Sequence, residues 1–175
     1  MEIGYQLRDR QLLVSYAVTN HDTQIMFFSI GAHPAFNTPG NFEDWFIEFD
    51  QAETVDRHYL AGGVFSGETA PVLNDQTVLH LNDGLFERDA IVLKTLRSKT
   101  VRLRSTASTR QITLDFGGFP YLGIWTKTAA PFVCLEPWYG LADSANSDGQ
   151  LAHKEGIQNL APGQTFNSLY TLAFE

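Results

Sequence analysis

The sequence predicts an all-β protein, an antiparallel β-sandwich, on three observations. Apolar residues recur with a period of two along many short stretches. Turn-forming residues punctuate those stretches at short intervals. No long segment places apolar residues at helical spacing. Period two is the mark of a half-buried strand, and closely spaced turns are the mark of hairpins. Such strands bury their apolar faces by packing sheet on sheet.

The elements follow in chain order. Leu12, Val14, Tyr16 and Val18 alternate with polar or smaller neighbours. In residues 27–33, Phe27, Ser29, Gly31 and His33 fall on one face of a strand, and Phe28, Ile30 and Ala32 on the other. Trp45, Ile47 and Phe49 alternate in "EDWFIEFD". Val101 and Leu103 do so next, followed by Ile112, Leu114 and Phe116. "YLGIWT", "PFVCLEPWYG" and "SLYTLAFE" complete the series. "TNHDT", "NTPGN", "LAGG", "LNDG", "FGGFP" and "LAPGQ" carry the Gly, Pro, Asn and Asp of turns. The only helical expectation is one short turn near "NDGLFERD". With no repeat, low-complexity tract or linker, one domain is expected over residues 1–175.

Composition narrows the function. Hydrophobic residues make up 43% of the 175, enough for a globular core. Twelve Lys and Arg against twenty Asp and Glu give a formal charge of −8 with no basic run. Nucleic acid and anionic membrane surfaces are therefore poor partners. Cys134 is the single cysteine, so no intrachain disulfide forms. The start "MEIGYQLRDRQ" lacks the basic and apolar regions of a signal peptide, and no apolar stretch approaches membrane-spanning length. A soluble, cytoplasmic protein is expected.

Two segments put a titratable group before a proline at the end of an apolar run. His33 precedes Pro34, and Glu136 precedes Pro137. Proline removes a ladder donor, so pairing is expected to stop at each site. On the second segment Phe132, Cys134 and Glu136 share a face. A carboxylate there is desolvated, which raises its pKa. In "YLGIWT", Gly123 clears space between Tyr121 and Trp125 on one face. Aromatic faces stack on the C–H side of a sugar, polar groups hold its hydroxyls, and a histidine with a carboxylate can act as acid and base. The bland alternative is that His-Pro is structural and Glu-Pro a strand exit.

"FFSIGAHPAFN" and "PFVCLEPWYGLAD" resemble two motifs of the aldose 1-epimerase (galactose mutarotase) family, nearest its LacX-like branch. "GLFERDAIVLK", "GGFPYLGIWT" and "HKEGIQNLAPGQTF" resemble that branch too, in the same order. The resemblance implies a galactose mutarotase-like supersandwich. It also implies interconversion of the α and β anomers of an aldose sugar, with no metal and no organic cofactor. By motif position, His33 would protonate the ring oxygen and Glu136 would remove the anomeric hydroxyl proton. The ring would open, the C1–C2 bond rotate, and the ring close on the other face. Asp89 matches a substrate-binding aspartate, with a turn-capping role as the alternative. Trp125 is a candidate sugar platform, with a core role as the alternative.

The family carries a further N-terminal segment ahead of the strand resembling "LRDRQLLVSYAVTN", with several strands and another active-site histidine. Here that strand lies close to Met1. The fold is therefore expected to be incomplete at its N-terminus, and the chain to form a homo-oligomer that covers the surface left open. The alternatives to an active epimerase are a non-catalytic carbohydrate-binding sandwich and an inactive truncated homologue.

Other signals carry less. His21, His58, His80 and His153 show no metal-ligand spacing and are expected on the surface or in turns. "AGGVFSG" lacks the lysine of a phosphate loop. Cys134 is expected as a buried strand thiol. "RSKTVRLRSTASTR" is expected as a solvated sheet face.

Overall fold

The computed structural model describes residues 1–175 and contains fourteen strands and three short 3-10 turns. The strands are β1 (Glu2–Arg8), β2 (Gln11–Thr19), β3 (Met26–Phe28), β4 (Ile30–Gly31), β5 (Ala35–Asn37), β6 (Trp45–Ala61) and β7 (Val64–His80). They continue as β8 (Ile91–Leu93), β9 (Thr100–Ser105), β10 (Ser108–Asp115), β11 (Tyr121–Trp125), β12 (Phe132–Tyr139), β13 (Gln158–Leu160) and β14 (Thr165–Phe174). Twelve of them form one antiparallel sheet in the order β1-β2-β14-β10-β9-β6-β8-β11-β12-β4, with β5 also on β12 and β7 on β6. β3 and β13 make a separate ribbon.

This long sheet curls on itself to build the core. Tyr139 of β12 packs on Phe166 of β14 at 5.0 Å between ring centroids, although the two strands lie near opposite ends of the order. Phe119 bridges the same gap, touching Tyr139 at 4.7 Å, Tyr170 at 6.2 Å and Tyr16 of β2 at 6.4 Å. The alternating residues read from the sequence line the interior: Val14, Tyr16, Ile47, Leu103, Leu114 and Leu172 are buried there. The architecture is an antiparallel β-sandwich made largely by curvature of one sheet. The longest elements are β6 and β7, seventeen residues each, joined through Gly62 and Gly63 at φ +61° and +82°. A two-residue hairpin turn with both residues left-handed matches the twist of its strands and favours glycine.

The region that carries the site is covered on both faces. β8, "IVL", is buried throughout. Its Ile91 and Leu93 join the main core, with Leu122, Ile124 and Leu135 of β11 and β12. Its Val92 turns to the other face, into a smaller cluster with Phe65, Ala90 and Leu141 that Tyr121, Trp125 and Trp138 flank.

Four expectations change. The strand drawn over 27–33 is broken: β3 pairs with β13, β4 pairs with β12, and residues 32–34 lie outside any strand. Pairing is interrupted at Pro34 and does not end there, since β5 resumes on β12 from Ala35 to Asn37. Pro137 does not end its strand either, and Glu136 lies inside β12. The carbonyl of Pro137 accepts from Ala32 at 3.0 Å, so its missing N–H falls on the same side, where the neighbouring strand is interrupted. Beyond the short turn expected near "NDGLFERD", found at Asp83–Phe86, two more occur at Phe42–Asp44 and Leu151–His153.

Candidate active site

The site is assembled around the break between β4 and β5. Ala32 donates to the Pro137 carbonyl at 3.0 Å, and Leu135 donates to the Pro34 carbonyl at 3.2 Å. These two bonds tie the chain to β12 on either side of His33. The imidazole is thereby held over Glu136, with Nε2 3.3 Å from Oε1. The two partners sit in opposite environments: the His33 side chain is 62% exposed and that of Glu136 only 5%. Burial raises the Glu136 pKa above the ordinary carboxylate range. The His33 ring and the nearby Trp138 indole N–H oppose that rise, and the neighbouring Asp89 carboxylate adds to it.

Trp138, absent from the sequence-derived candidates, is the aromatic most closely fitted to the site. A Cβ on Gly123 would stand 2.6 Å from its indole carbons, and a Cβ on Gly31 would stand 2.6 Å from Cδ1. The indole therefore lies across two strands whose glycines make room for it. It lines a groove of about 440 Å³ together with His33, Gly31, Phe65, Leu141 and Lys154. The signal was present in the sequence as Gly31 and Gly123, but the space they clear belongs to Trp138. Trp125 is half-buried and stands behind the histidine, edge-on to its ring at 5.9 Å and against Phe132 at 5.8 Å.

Asp89 is exposed in the turn that follows Asp83–Phe86, with φ +70°. Its Oδ1 accepts from the N–H of Ala90 at 2.8 Å, which is the capping contact, and its carboxylate is close enough to influence Glu136. The capping role is thus seen directly, and the substrate-binding role stays an expectation of the resemblance. A second residue unforeseen in the sequence holds the turn. The buried guanidinium of Arg57, on β6, donates to the carbonyls of Leu85, Asp89 and Ala90.

Cys134 lies two residues before Glu136 on the same face and is 1% exposed. Burial pushes its thiol up to about 12. Its Sγ, His33 Nε2 and a Glu136 oxygen all lie within 4.8 Å of one another. Among the other histidines, His58 is half-buried within β6, against Phe65 at 6.3 Å, and burial lowers its pKa. His153 is exposed and pairs with Asp148 at 2.7 Å. Arg102 and Arg104 reach Glu48 at 3.5 and 3.1 Å on an accessible sheet face.

This fold recurs in known proteins. The plasmid and chromosomal LacX proteins of Lactococcus lactis subsp. lactis are each 34% identical to the chain, over 98% of it and 60% of their own length. The structure of a galactose mutarotase related enzyme from Lactobacillus acidophilus superposes with a TM-score of 0.91 at 30% identity. It covers 99% of this chain and 60% of that one. The chain is a homologue of the LacX proteins and shares the galactose mutarotase-like fold. A galactose mutarotase-like protein from Lactobacillus casei ATCC 334 gives the same TM-score, 0.91, at 28% identity, covering 99% of this chain and 62% of that one. No family model matches the sequence. The chain thus spans about 60% of the length of the relatives it matches. No helix is long and apolar enough to cross a membrane.

Proposed function

We propose that this chain interconverts the α and β anomers of an aldose through an acid–base pair made of His33 and Glu136. The observation that carries the reading is the 3.3 Å separation of His33 Nε2 and Glu136 Oε1 beside the Trp138 groove. The ring oxygen and the anomeric hydroxyl are bonded to the same carbon. An acid for one and a base for the other must therefore be near neighbours. Glu136, desolvated and with a raised pKa, is a stronger base than a solvated carboxylate. His33, open to solvent, exchanges its proton freely between turnovers. In the ring-opening step Glu136 takes the hydroxyl proton, the C1–O5 bond breaks, and O5 takes a proton from His33. Rotation about C1–C2 and reversal of both transfers deliver the other anomer.

Trp138 supplies the stacking face, Asp89 a hydrogen-bond acceptor for a sugar hydroxyl, and Trp125 a wall that fixes the imidazole. The single cysteine, held as a buried thiol, is in keeping with a reducing, cytoplasmic setting. The acting unit is a homo-oligomer, because β1 leaves Ile3, Tyr5 and Leu7 uncovered beside the core.

Polarimetry with freshly dissolved α-glucose and α-galactose tests the reading. Wild type is expected to speed equilibration, and Glu136→Gln to slow it by about 10²–10⁴-fold while still binding sugar. A wild-type chain that binds sugar with no effect on equilibration would be a carbohydrate-binding sandwich instead.

A further inference from the structure

We infer that His33, Cys134 and Glu136 form a zinc-binding trio whose occupation blocks the acid–base pair. The blocking role rests on the function proposed above; the binding itself does not. The trio offers one nitrogen, one sulfur and one oxygen, the three donor types that zinc accepts. All three atoms lie within 4.8 Å of one another. Zinc–ligand distances near ~2.0–2.3 Å in a tetrahedron place ligand atoms roughly 3.5 Å apart. The His33–Glu136 separation, 3.3 Å, already meets that value. The remaining closure is about an ångström, and the exposed His33 ring is the member free to supply it.

The backbone presets the arrangement. Cys134 and Glu136 alternate onto one face of β12 and are held in register with Trp125 and Gly123 of β11. The chain at His33 is tied to β12 on both sides. Cys134 is buried and its sulfur makes no hydrogen bond, so a metal ion would give it its only strong contact. Three protein ligands leave a fourth position, directed to the groove, for water. On binding, zinc displaces the thiol proton to solvent and sheds water from its own shell. Because a thiol proton must be displaced from a buried position, binding at this site is reversible. Sequence spacing hides the trio, since two ligands are a strand pair and the third comes from a distant loop.

Cobalt and zinc titrations of the full chain test this. Co²⁺ is expected to give a near-ultraviolet thiolate-to-metal band and the intense visible bands of four-coordinate cobalt. Zn²⁺ should abolish both at one equivalent and suppress sugar equilibration over the same range. Cys134→Ala should lose the thiolate band and bind zinc at least tenfold more weakly. His33→Asn, altered at an exposed position, gives a second weakened variant should Cys134→Ala fold poorly. Zinc affinity unchanged in folded Cys134→Ala, or no thiolate band with cobalt raised to saturation, would overturn the inference. An active enzyme indifferent to zinc defeats this inference alone. A zinc-binding chain with no effect on sugar defeats the proposed function alone.

Discussion

β1 and β12 are both strands with apolar side chains on the core-facing side, and they meet opposite fates. In β12 five consecutive residues, Val133 to Pro137, are buried, including the ionisable Glu136. In β1 all seven residues are exposed, including Ile3, Tyr5 and Leu7. Pattern separates them in part, since β1 alternates polar with apolar residues and β12 is apolar on both faces from Phe132 to Leu135; surroundings do the rest. β12 is paired on both edges, to β11 and to β4 and β5, with the main core under one face and the Trp138 cluster on the other. β1 has β2 alone as neighbour. Its Ile3, Tyr5 and Leu7 stand opposite Tyr16, Val14 and Leu12, so they extend the core-facing surface beyond the core's edge. One strand holds a polar group where burial is costly, the other apolar groups where exposure is costly. The first imbalance is the mark of chemistry, the second of an interface.

The largest effect separating the two regions is expected from one methyl group. Gly123→Ala places Cβ 2.6 Å from two carbons of the Trp138 ring, which is boxed in by Gly31 on its other side. Gly4→Ala in β1 meets an equally short 2.6 Å contact, but with the Ser15 hydroxyl, the end of a side chain that can rotate. Gly123→Ala should cost about 1–3 kcal/mol in urea unfolding and weaken sugar binding by at least tenfold. Gly4→Ala should stay within about 0.5 kcal/mol. Equal costs would show that Trp138 is not fixed by its glycine neighbours.

Much of this division was legible in the chain. Leu12 to Val18, Trp45 to Phe49 and Ile112 to Leu114 read as strands because local alternation and the final burial agree. His33 and Glu136 stood out because each precedes a proline in an otherwise apolar stretch. What could not be read was set by distant partners. Pro137 stays inside a strand because a break in the neighbouring strand faces its missing donor. Trp138, and not Trp125, occupies the glycine-cleared space because the register of β12 with β4 and β11 puts it there. Arg57 reads as an ordinary strand charge, and only the fold brings three carbonyls to it.

A smaller effect is expected from removing charge in each strand. Burial raises the folded-state pKa of Glu136 above its unfolded value. Stability from this group is then full below the unfolded pKa and lost as pH rises through the folded pKa. At pH 8 the ionised carboxylate is a liability, and Glu136→Gln should melt higher than wild type. At pH 4 the advantage should vanish, because both side chains are neutral. Wild-type turnover should run the other way, falling on acidification at a pH above the ordinary carboxylate range, since the base must be ionised. Glu2→Gln, on the exposed β1, should move stability by less than about 0.5 kcal/mol at either pH. A Glu136→Gln variant less stable than wild type at pH 8 would mean that the carboxylate holds the fold together through His33.

The smallest effect on folding, and the sharpest on assembly, is expected at β1. Ile3, Tyr5 and Leu7 are 44%, 71% and 74% exposed, on a strand whose outer edge has no partner. An unpaired edge beside an apolar face is a template for another chain. Wild type should therefore self-associate at micromolar concentration, β1 against β1 being the simplest closed arrangement because a two-fold axis satisfies both edges at once. Tyr5→Ser with Leu7→Ser removes apolar surface that is mostly exposed in the isolated fold, so the melting temperature at high dilution should change little. Sedimentation equilibrium should show the double variant as a monomer where wild type is a dimer or larger. A wild-type monomer that binds no hydrophobic dye would show that this strip tolerates water, and β1 would then be an inert edge, leaving the two strands different in burial but not in purpose.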